Sequence, residues 1–358
     1  MGIYVIATYF YKDKPVFGFD LGHGSLKIMQ VDRSAKMPKL LGYGTASFDS
    51  SAIDDRIIVK PEVIAEATKQ MFDHHFNGIL TTRRAALAIP AYRSFSRSMQ
   101  LPKLDGKELQ AAVELEAEQY IPVPIKDLYL DYAITNQTEN ETELFAVAVP
   151  RKVVNSYLEL AEVMGMEPVL IETTMSAAGR LFSRDKNSNL TSVIIDFGSL
   201  TADIGIFDKN ILVAGTVPAG GLVFTNLIEE KLKISQAEAG FVKTKYGLGV
   251  SKKQKEIIAA LTPALQKIVT EIRRMSRYYE ERYGSDKKID QVVILGGGAN
   301  MPGLGDFLTS ALRIPVRSHD PWNHIDYKGM RAPSDADKLM YATVAGLSFL
   351  DPKGIFNA

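Results

Sequence analysis

The sequence predicts an α/β protein of two similar domains, with a small α/β block inserted into the first. Three observations predict it. The run Asp20-Leu21-Gly22-His23-Gly24-Ser25-Leu26-Lys27-Ile28 and the run Asp196-Phe197-Gly198-Ser199-Leu200-Thr201-Ala202-Asp203-Ile204 share the pattern Asp-x-Gly-x-x-Ser/Thr-x-x-Ile, each following a short apolar strand. A third apolar strand, Val292-Val293-Ile294-Leu295, runs into Gly296-Gly297-Gly298. Between the two repeats, 91–168 has a texture of its own, with a proline-stopped helix and two strands around a polar turn.

The elements follow in order. Strands are expected at 16–19, 26–31 and 40–48, where glycines separate apolar runs as hairpins require. A helix at 61–72 begins on Pro61, which suits an early helix position, and carries Val63, Ile64, Ala67 and Met71 near helical spacing. A strand follows at 85–90. Inside the inserted block, a helix at 106–120 is stopped by Ile121-Pro122-Val123-Pro124, because each proline removes a donor and restricts its predecessor. Strands at 129–134 and 144–149 flank the turn-rich 136–142, and a helix at 151–164 ends near Gly165. The second half offers strands at 192–195, around Ile206 and at 211–217, then helices at 222–232 and 236–245. A long helical stretch, 253–283, contains Pro263, which predicts a break. A strand at 291–295, a helix at 303–312 and a last helix at 336–349 complete the chain, the last with small residues Ala342, Ala345 and Gly346 suited to close packing.

The repeat carries the chemistry. Gly22 and Gly198 permit tight turns in which backbone N–H groups approach phosphate oxygens, while Ser25 and Thr201 offer hydroxyl donors. Asp20 and Asp196 cannot rest against phosphate, since both are anionic. They make sense with Mg²⁺ or its water shell between. Lys27 adds a positive charge if its strand turns it inward. Gly296, Gly297 and Gly298, ahead of Asn300 and a helix, let backbone pass close to a flat base or a phosphate. This is not the Gly-x-Gly-x-x-Gly fingerprint, and no Gly-x-x-x-x-Gly-Lys-Ser/Thr loop occurs. Either hairpin alone reads as an ordinary polar turn. The pair reads as two domains facing one ligand.

Composition narrows the classes. Of 358 residues 46% are hydrophobic and 23% charged, and 42 basic residues balance 42 acidic ones. A zero net charge argues against a strongly basic nucleic-acid binder. The absence of cysteine excludes disulfides, thiolate metal sites and cysteine nucleophiles. No apolar run approaches the roughly 20 residues that span a bilayer. The longest, 3–11, meets Lys12-Asp13-Lys14 and lacks the basic start and cleavage site of a secretory signal, so a cytoplasmic protein is expected. The tail 1–14 reads as an edge strand, a docking segment or disorder.

The three motifs, in this order, resemble the phosphate-1, phosphate-2 and adenosine motifs of the actin, sugar-kinase and heat-shock chaperone superfamily. Within it, the chain from about Pro15 onward is similar to the PilM family, the actin-like component of type IV pilus assembly. The stretches that carry this are Phe17-Gly18-Phe19-Asp20-Leu21-Gly22, Leu101-Pro102 with Glu108-Leu109, Glu116-Ala117-Glu118-Gln119-Tyr120-Ile121-Pro122, Leu130-Asp131-Tyr132, Phe145-Ala146-Val147-Ala148-Val149-Pro150 and Gly165-Met166-Glu167-Pro168. The motif after Leu101 is the most discriminating, because general actin relatives lack it.

The resemblance implies an actin-like (ribonuclease H-like) fold with mixed five-stranded sheets flanked by helices. It divides the chain into a first domain core at 15–90, 169–190 and 335–358, an inserted partner-binding subdomain at 91–168, a second domain core at 191–220 and 265–334, and a small subdomain at 221–264. It also implies ATP with Mg²⁺ in the cleft, turnover that is slow at most, and a partner: the N-terminal cytoplasmic tail of the inner-membrane protein PilN, docked as an extended peptide. Such docking would hold the chain at the cytoplasmic face of the inner membrane, with other platform components nearby. The groove is sought among 92–101 and 115–122. The nucleotide-binding set implied is Asp20, Gly22, His23, Gly24, Ser25, Lys27, Asp196, Gly198, Ser199, Leu200, Thr201, Gly220, Gly221, Lys243, Gly296, Gly297, Gly298 and Asn300, with Asp20 and Asp196 reaching the metal through water. Two other readings stay open: a filament-forming cell-division actin homologue and a sugar-kinase-like phosphotransferase.

The chain departs from the pattern in places. Relatives carry Ala-Glu-x-x-Lys against ribose and base, whereas Ala239-Gly240-Phe241-Val242-Lys243 has glycine for the glutamate, and Glu238 projects from another helix face. This predicts weak affinity or relaxed base choice. His23 stands where a small hydroxyl residue is usual. Gly220-Gly221 reads as a nucleotide contact or a simple strand-to-helix turn. Glu172 is the weak candidate for a catalytic base, against the plainer reading of an exposed strand-end glutamate. The histidines suggest no metal site: His74 and His75 are adjacent, and His319 and His324 flank Pro321-Trp322 in a loop. Tyr278, Tyr279 and Tyr283 read as packing residues, and Arg273-Arg274 with Glu280-Glu281 as a solvated charged face.

Overall fold

The structure, a computed structural model, describes residues 14–55, 57–284 and 286–351. Apart from Lys14, the tail expected at 1–14 lies outside the described residues. The chain begins with the meander β1 (Phe17–Leu21), β2 (Ser25–Asp32) and β3 (Lys39–Ser47), then a small pair β4 (Ile53–Asp54) and β5 (Ile57–Ile58), helix α1 (Pro61–His74), β6 (Asn77–Gly78) and β7 (Arg84–Ile89). The inserted block supplies β8 (Phe95–Pro102), α2 (Gly106–Glu118), β9 (Leu128–Gln137) and β10 (Glu141–Pro150). Then come α3 (Arg151–Val163), β11 (Glu167–Thr173) and α4 (Thr174–Phe182). The second half has β12 (Ser192–Phe197), β13 (Ala202–Asp208), β14 (Asn210–Val217), α5 (Gly221–Leu232), α6 (Gln236–Lys245), α7 (Gln254–Tyr283), β15 (Gln291–Leu295), α8 (Leu304–Leu312), β16 (Val316–Ser318), α9 (Asp335–Lys338) and α10 (Ala342–Ser348).

The sequence repeat is a repeat of topology. The first sheet runs β11-β7-β1-β2-β3-β6 and the second β14-β13-β12-β15-β16. In each, three consecutive antiparallel strands continue into two parallel ones. The first sheet adds a sixth strand of two residues, β6, at the outer edge of β3. The central strands β1, β7 and β15 are buried at every position, which accounts for their nearly unbroken apolar runs.

Helices α4 and α10 lie between the sheets. One apolar core joins Met29 and Tyr43 of the first sheet to Ile194 and Val293 of the second through Met175, Ala178, Val344 and Ala345. Gly346 is there for closeness: a Cβ on it would sit 2.0 Å from the Ala177 carbonyl oxygen. The inserted block has its own core, where Leu109, Val113 and Ala117 of α2 cover Met99, Leu144 and Ala146 of the sheet β8-β10-β9.

Several expectations change. The break at Pro263 does not occur: α7 is one helix of 30 residues. Pro263 and Ala259, whose carbonyl it leaves free, both face solvent, while Ile257, Leu261, Leu265 and Ile268 bury the opposite side and hold the axis. The final helix is interrupted, a 3₁₀ turn Leu339–Tyr341 separating α9 from α10. Strand β8 and helix α4 were not foreseen, and the short strand expected to end at Glu172 is β11. Helix α3, placed by the sequence with the inserted block, puts Val153, Tyr157 and Leu160 into the core under the first sheet. No helix among the described residues is long and apolar enough to cross a membrane.

Candidate functional site

The cleft between the two sheets has a volume of about 650 Å³. Both hairpin turns open onto it, and they are built alike. The Gly22 N–H donates to the Ser25 carbonyl (2.8 Å) and the Gly198 N–H to the Thr201 carbonyl (2.9 Å). A Cβ would approach those carbonyls to 3.2 Å and 3.3 Å, so glycine is what lets each turn close this tightly.

Of the expected contacts, Asp20, Gly22, His23, Gly24, Ser25, Lys27, Asp196, Gly198, Ser199, Leu200, Thr201, Gly221, Lys243, Gly296, Gly297 and Gly298 line this one cleft. Lys27 does turn inward. It is the cross-strand partner of Asp20, and its Nζ donates to Asp20 Oδ2 at 3.1 Å in a nearly buried pair. Gly296 has φ +80°, and a Cβ on it would meet Asp196 Oδ1 at 2.3 Å, so this position requires glycine twice over. Lys243 donates to the Gly221 carbonyl (2.8 Å) and to Thr225 Oγ1 (2.9 Å), and its ammonium pKa is lowered by desolvation. The His23 imidazole is likewise held below its usual pKa, first by burial and then by Arg93.

Three expected residues sit elsewhere. Gly220 lies beneath the turn rather than on the cleft wall, where a Cβ would strike the Ser199 carbonyl oxygen at 2.4 Å. The N–H groups of Gly220, Gly221 and Leu222 donate to the carbonyls of Leu200, Gly198 and Ser199, stacking the second turn on the start of α5. Asn300 donates to the Ala336 carbonyl (2.6 Å) and braces α9. Glu172 is neither in the cleft nor exposed. Arg180 grips it through both nitrogens, one at 2.7 Å, and its side chain is 10% exposed. A carboxylate so paired is not a free base.

The structure adds residues that sequence reasoning passed over. Asp203, buried, accepts from Thr216 Oγ1 (2.8 Å) and Thr174 Oγ1 (3.2 Å), and burial raises its pKa despite these bonds. Thr343 donates to Asp196 Oδ2 at 3.1 Å, bringing α10 to the site. Thr174, Thr244, Tyr92 and Met340 also line the wall. Asp203 was visible in the repeat itself, at the position of Lys27. Thr174 and Thr343 carried no sequence signal because their helices reach the cleft only through the interdomain packing.

Electrostatically the cleft is short of positive charge. The carboxyl of Asp196 is pushed up to about 7, by desolvation first, then by Asp203 and Asp20, against the hydrogen bond from Thr343. Asp20, Asp196 and Asp203 line one cleft beside the two glycine turns, and their hard oxygen donors suit Mg²⁺ held through its water shell.

The chain matches the model of the family described as type IV pilus assembly protein PilM over residues 18–350. A solved PilM–PilN type IV pilus biogenesis complex is similar in fold, with a TM-score of 0.80 at 22% identity, covering 94% of this chain and 98% of that one. MreB5 of Spiroplasma citri bound to ADP has a TM-score of 0.55 at 15% identity, covering 96% of this chain and 99% of that chain. The ethanolamine utilization protein EutJ from Carboxydothermus hydrogenoformans has a TM-score of 0.54 at 16% identity, covering 93% of this chain and 88% of that one. The shared fold is the actin-like one expected from the two hairpins, and with the family match extending from the first hairpin to the end of the last helix, the chain belongs to the PilM family of type IV pilus assembly proteins.

Proposed function

We propose that this chain is an ATP-binding scaffold of type IV pilus assembly. It docks the N-terminal tail of a PilN-type inner-membrane protein at the cytoplasmic face of the membrane, and its nucleotide state sets how tightly it does so. The observation that carries the nucleotide half is the pair of equivalent turns, Gly22 N–H to Ser25 and Gly198 N–H to Thr201, facing one cleft that also holds Asp20 and Asp196. Mg²⁺, when bound, would offset the charge of both carboxylates and of the phosphates. Asp20 and Asp196 would orient its water shell, Ser25 and Thr201 would donate to phosphate oxygens, and the Gly296–Gly298 turn would admit the base. Lys27 is held by Asp20 and Lys243 by α5, so both cations are positioned in advance. S. citri MreB5, similar in fold, was solved with ADP, which supports a nucleotide as the ligand.

The partner half rests on family membership and on the inserted sheet. The solved family complex contains PilN. In this chain, the inserted block exposes apolar side chains, Leu115 of α2 at 65% and Tyr129 and Ile134 on opposite faces of β9, which offer an extended peptide apolar contacts. Ser98 of β8 donates to the Leu212 carbonyl of β14, tying the block to the second domain. Differential affinity of the nucleotide-closed state for the peptide would supply the coupling.

Calorimetric titration of the N-terminal peptide of the PilN-type partner into the protein, with and without Mg·ATP, tests both halves. The expected result is saturable one-to-one binding that weakens without nucleotide. Binding of nucleotide without any binding of peptide would sink the docking reading, and absence of nucleotide binding would sink the cleft assignment.

A further inference from the structure

Away from the cleft, Asp185, His319 and His324 converge. Asp185 follows α4 in a turn where its N–H donates to the Phe182 carbonyl (2.8 Å). His319 follows β16. His324 closes a 3₁₀ turn, Pro321–His324, that Asp320 starts by accepting the Trp322 N–H at 2.9 Å. That turn brings the two imidazoles together, ring centres 5.0 Å apart and planes 22° apart. One donor atom from each of the three residues lies within 4.8 Å of the others. His319 is 3% exposed; its Nδ1 sits 2.8 Å from Asp185 Oδ2, while its buried Nε2 has no hydrogen-bond partner among the described residues.

The chemistry of these contacts is directional. Asp185 already takes Arg317 at 3.1 Å and the Asn187 N–H at 2.8 Å, so its lone pairs are engaged. It acts through His319: by accepting the Nδ1 proton it leaves the lone pair on Nε2, the tautomer that ligates metals when a carboxylate backs the ring. A buried lone pair without a partner is costly to keep, and the His324 ring stacks on the same imidazole. Nitrogen donors of this kind favour borderline transition metals over Mg²⁺ or Ca²⁺, which take oxygen.

We propose that His319 Nε2 and a ring nitrogen of His324 bind one divalent transition-metal ion of the zinc, nickel or cobalt class, with Asp185 orienting His319 and water completing the coordination. The sequence, read for spacing alone, had given these histidines to a loop, because Asp185 lies far off in the chain. The site sits where the segment after β16 crosses from the second sheet to the first. There Trp322 packs edge-on against Tyr43 and Tyr341, and Asp326 bridges to Lys39. An ion fixes that crossing, so binding stabilises the fold by mass action. The site stands independently of the nucleotide and partner reading.

The test uses the full chain, chelator-stripped and nucleotide-free, with ZnCl₂ titrated against a chromophoric chelator and with Co²⁺ followed by visible absorption. The expected result is one Zn²⁺ per chain, a rise in Tm on adding Zn²⁺, and cobalt bands of imidazole ligation. His324→Ala, at a half-buried position, lowers affinity at least tenfold and removes the Tm shift; Asp185→Asn weakens binding about tenfold or more. Replacing both His74 and His75 by alanine leaves binding unchanged. Absence of stoichiometric binding, or affinity that follows His74 and His75 instead of His324, overturns the proposal.

Discussion

Asp203 stands directly across the second hairpin from Asp196, in the register position that Lys27 occupies opposite Asp20. The two halves of the repeat are therefore alike in backbone and opposite in charge. The first hairpin neutralises its own carboxylate with an ion pair at 3.1 Å. In the second, desolvation first, then the adjacent Asp203 and Asp20 across the cleft, push the Asp196 carboxyl up to about 7. The stress is concentrated on the carboxylate that a divalent cation would relieve.

Asp196→Asn tests this through stability. A carboxyl with a folded pKa of about 7, against about 3.9 unfolded, keeps its proton in the native state where the unfolded chain has lost it. Its contribution is whole at about pH 4 and is lost as pH rises through 7. The full shift corresponds to about 4 kcal/mol at 1.36 kcal/mol per pH unit, and cleft water reduces it. We expect the variant, without nucleotide or metal, to be about 1–2 kcal/mol more stable at pH 8 and equal to wild type near pH 4 by urea unfolding. Its affinity for Mg·ATP should fall at least tenfold. Equal stability of the two proteins at pH 8 would remove the electrostatic argument.

Gly296→Ala probes the contact under Asp196. The new methyl has backbone in the left-handed region and Asp196 Oδ1 at 2.3 Å, with the Phe197 carbonyl at 2.6 Å. Neither neighbour is the end of a long flexible chain. The expected cost is about 2–4 kcal/mol, from positive φ and overpacking together, measured by thermal unfolding, with nucleotide binding lost even in the folded fraction. Gly305→Ala, on the neighbouring helix with nothing within 4 Å, serves as the neutral control.

Gly240→Glu asks whether the missing family glutamate weakens the site. A Cβ at Gly240 would meet nothing within 4 Å, and Thr244, one turn on, lines the cleft and donates back to the Gly240 carbonyl at 2.9 Å. Glu238 does not substitute. It is spent on a capping box with Ser235, whose hydrogen bonds hold its carboxyl below the usual range. The substitution should change stability by less than about 1 kcal/mol. It should tighten ATP binding severalfold while leaving inorganic triphosphate unaffected. Equal gains for both ligands would point away from the ribose.

What was legible in the sequence was what repeats or is local. The strand–turn–strand units at Asp20 and Asp196, the glycine run and the helix 236–245 each announce themselves within about ten residues, because turn chemistry and periodicity are short-range. What escaped was set by the other half of the molecule. Helix α4 is held by α10 between the two sheets, so its mixed composition gave no period of its own. Pro263 broke a local rule that the buried face of α7 overrides. Glu172 was misjudged because Arg180, its partner, sits on an element that was not foreseen.

Breaking that pair separates structure from chemistry. Arg180→Ala leaves Glu172, 10% exposed, with its charge uncompensated. The expected loss is about 3 kcal/mol, with nucleotide affinity of the remaining folded protein unchanged, by urea unfolding and calorimetry. A selective loss of ATP turnover or binding at full stability would instead return Glu172 to the list of functional groups.

Ser98→Ala addresses the connection between the inserted block and the cleft. Ser98 is buried, and its hydroxyl donates to the Leu212 carbonyl on β14. That strand runs on to Val217, and the next turn places Gly220 and Gly221 under the Gly198–Thr201 loop. A shift of the loop on binding nucleotide therefore has a covalent path to the strand on which the block leans. Removing the hydroxyl leaves the Leu212 carbonyl without that donor and should cost about 1–2 kcal/mol. Neither ligand touches Ser98 in the proposed arrangement, so each alone should bind the variant nearly as it binds wild type. The mutual enhancement is what should fall, and by linkage it must fall equally whichever ligand is added first. Two titrations in each order measure it. Undiminished enhancement in the variant would mean that the coupling runs through α4 and α10 rather than through β14.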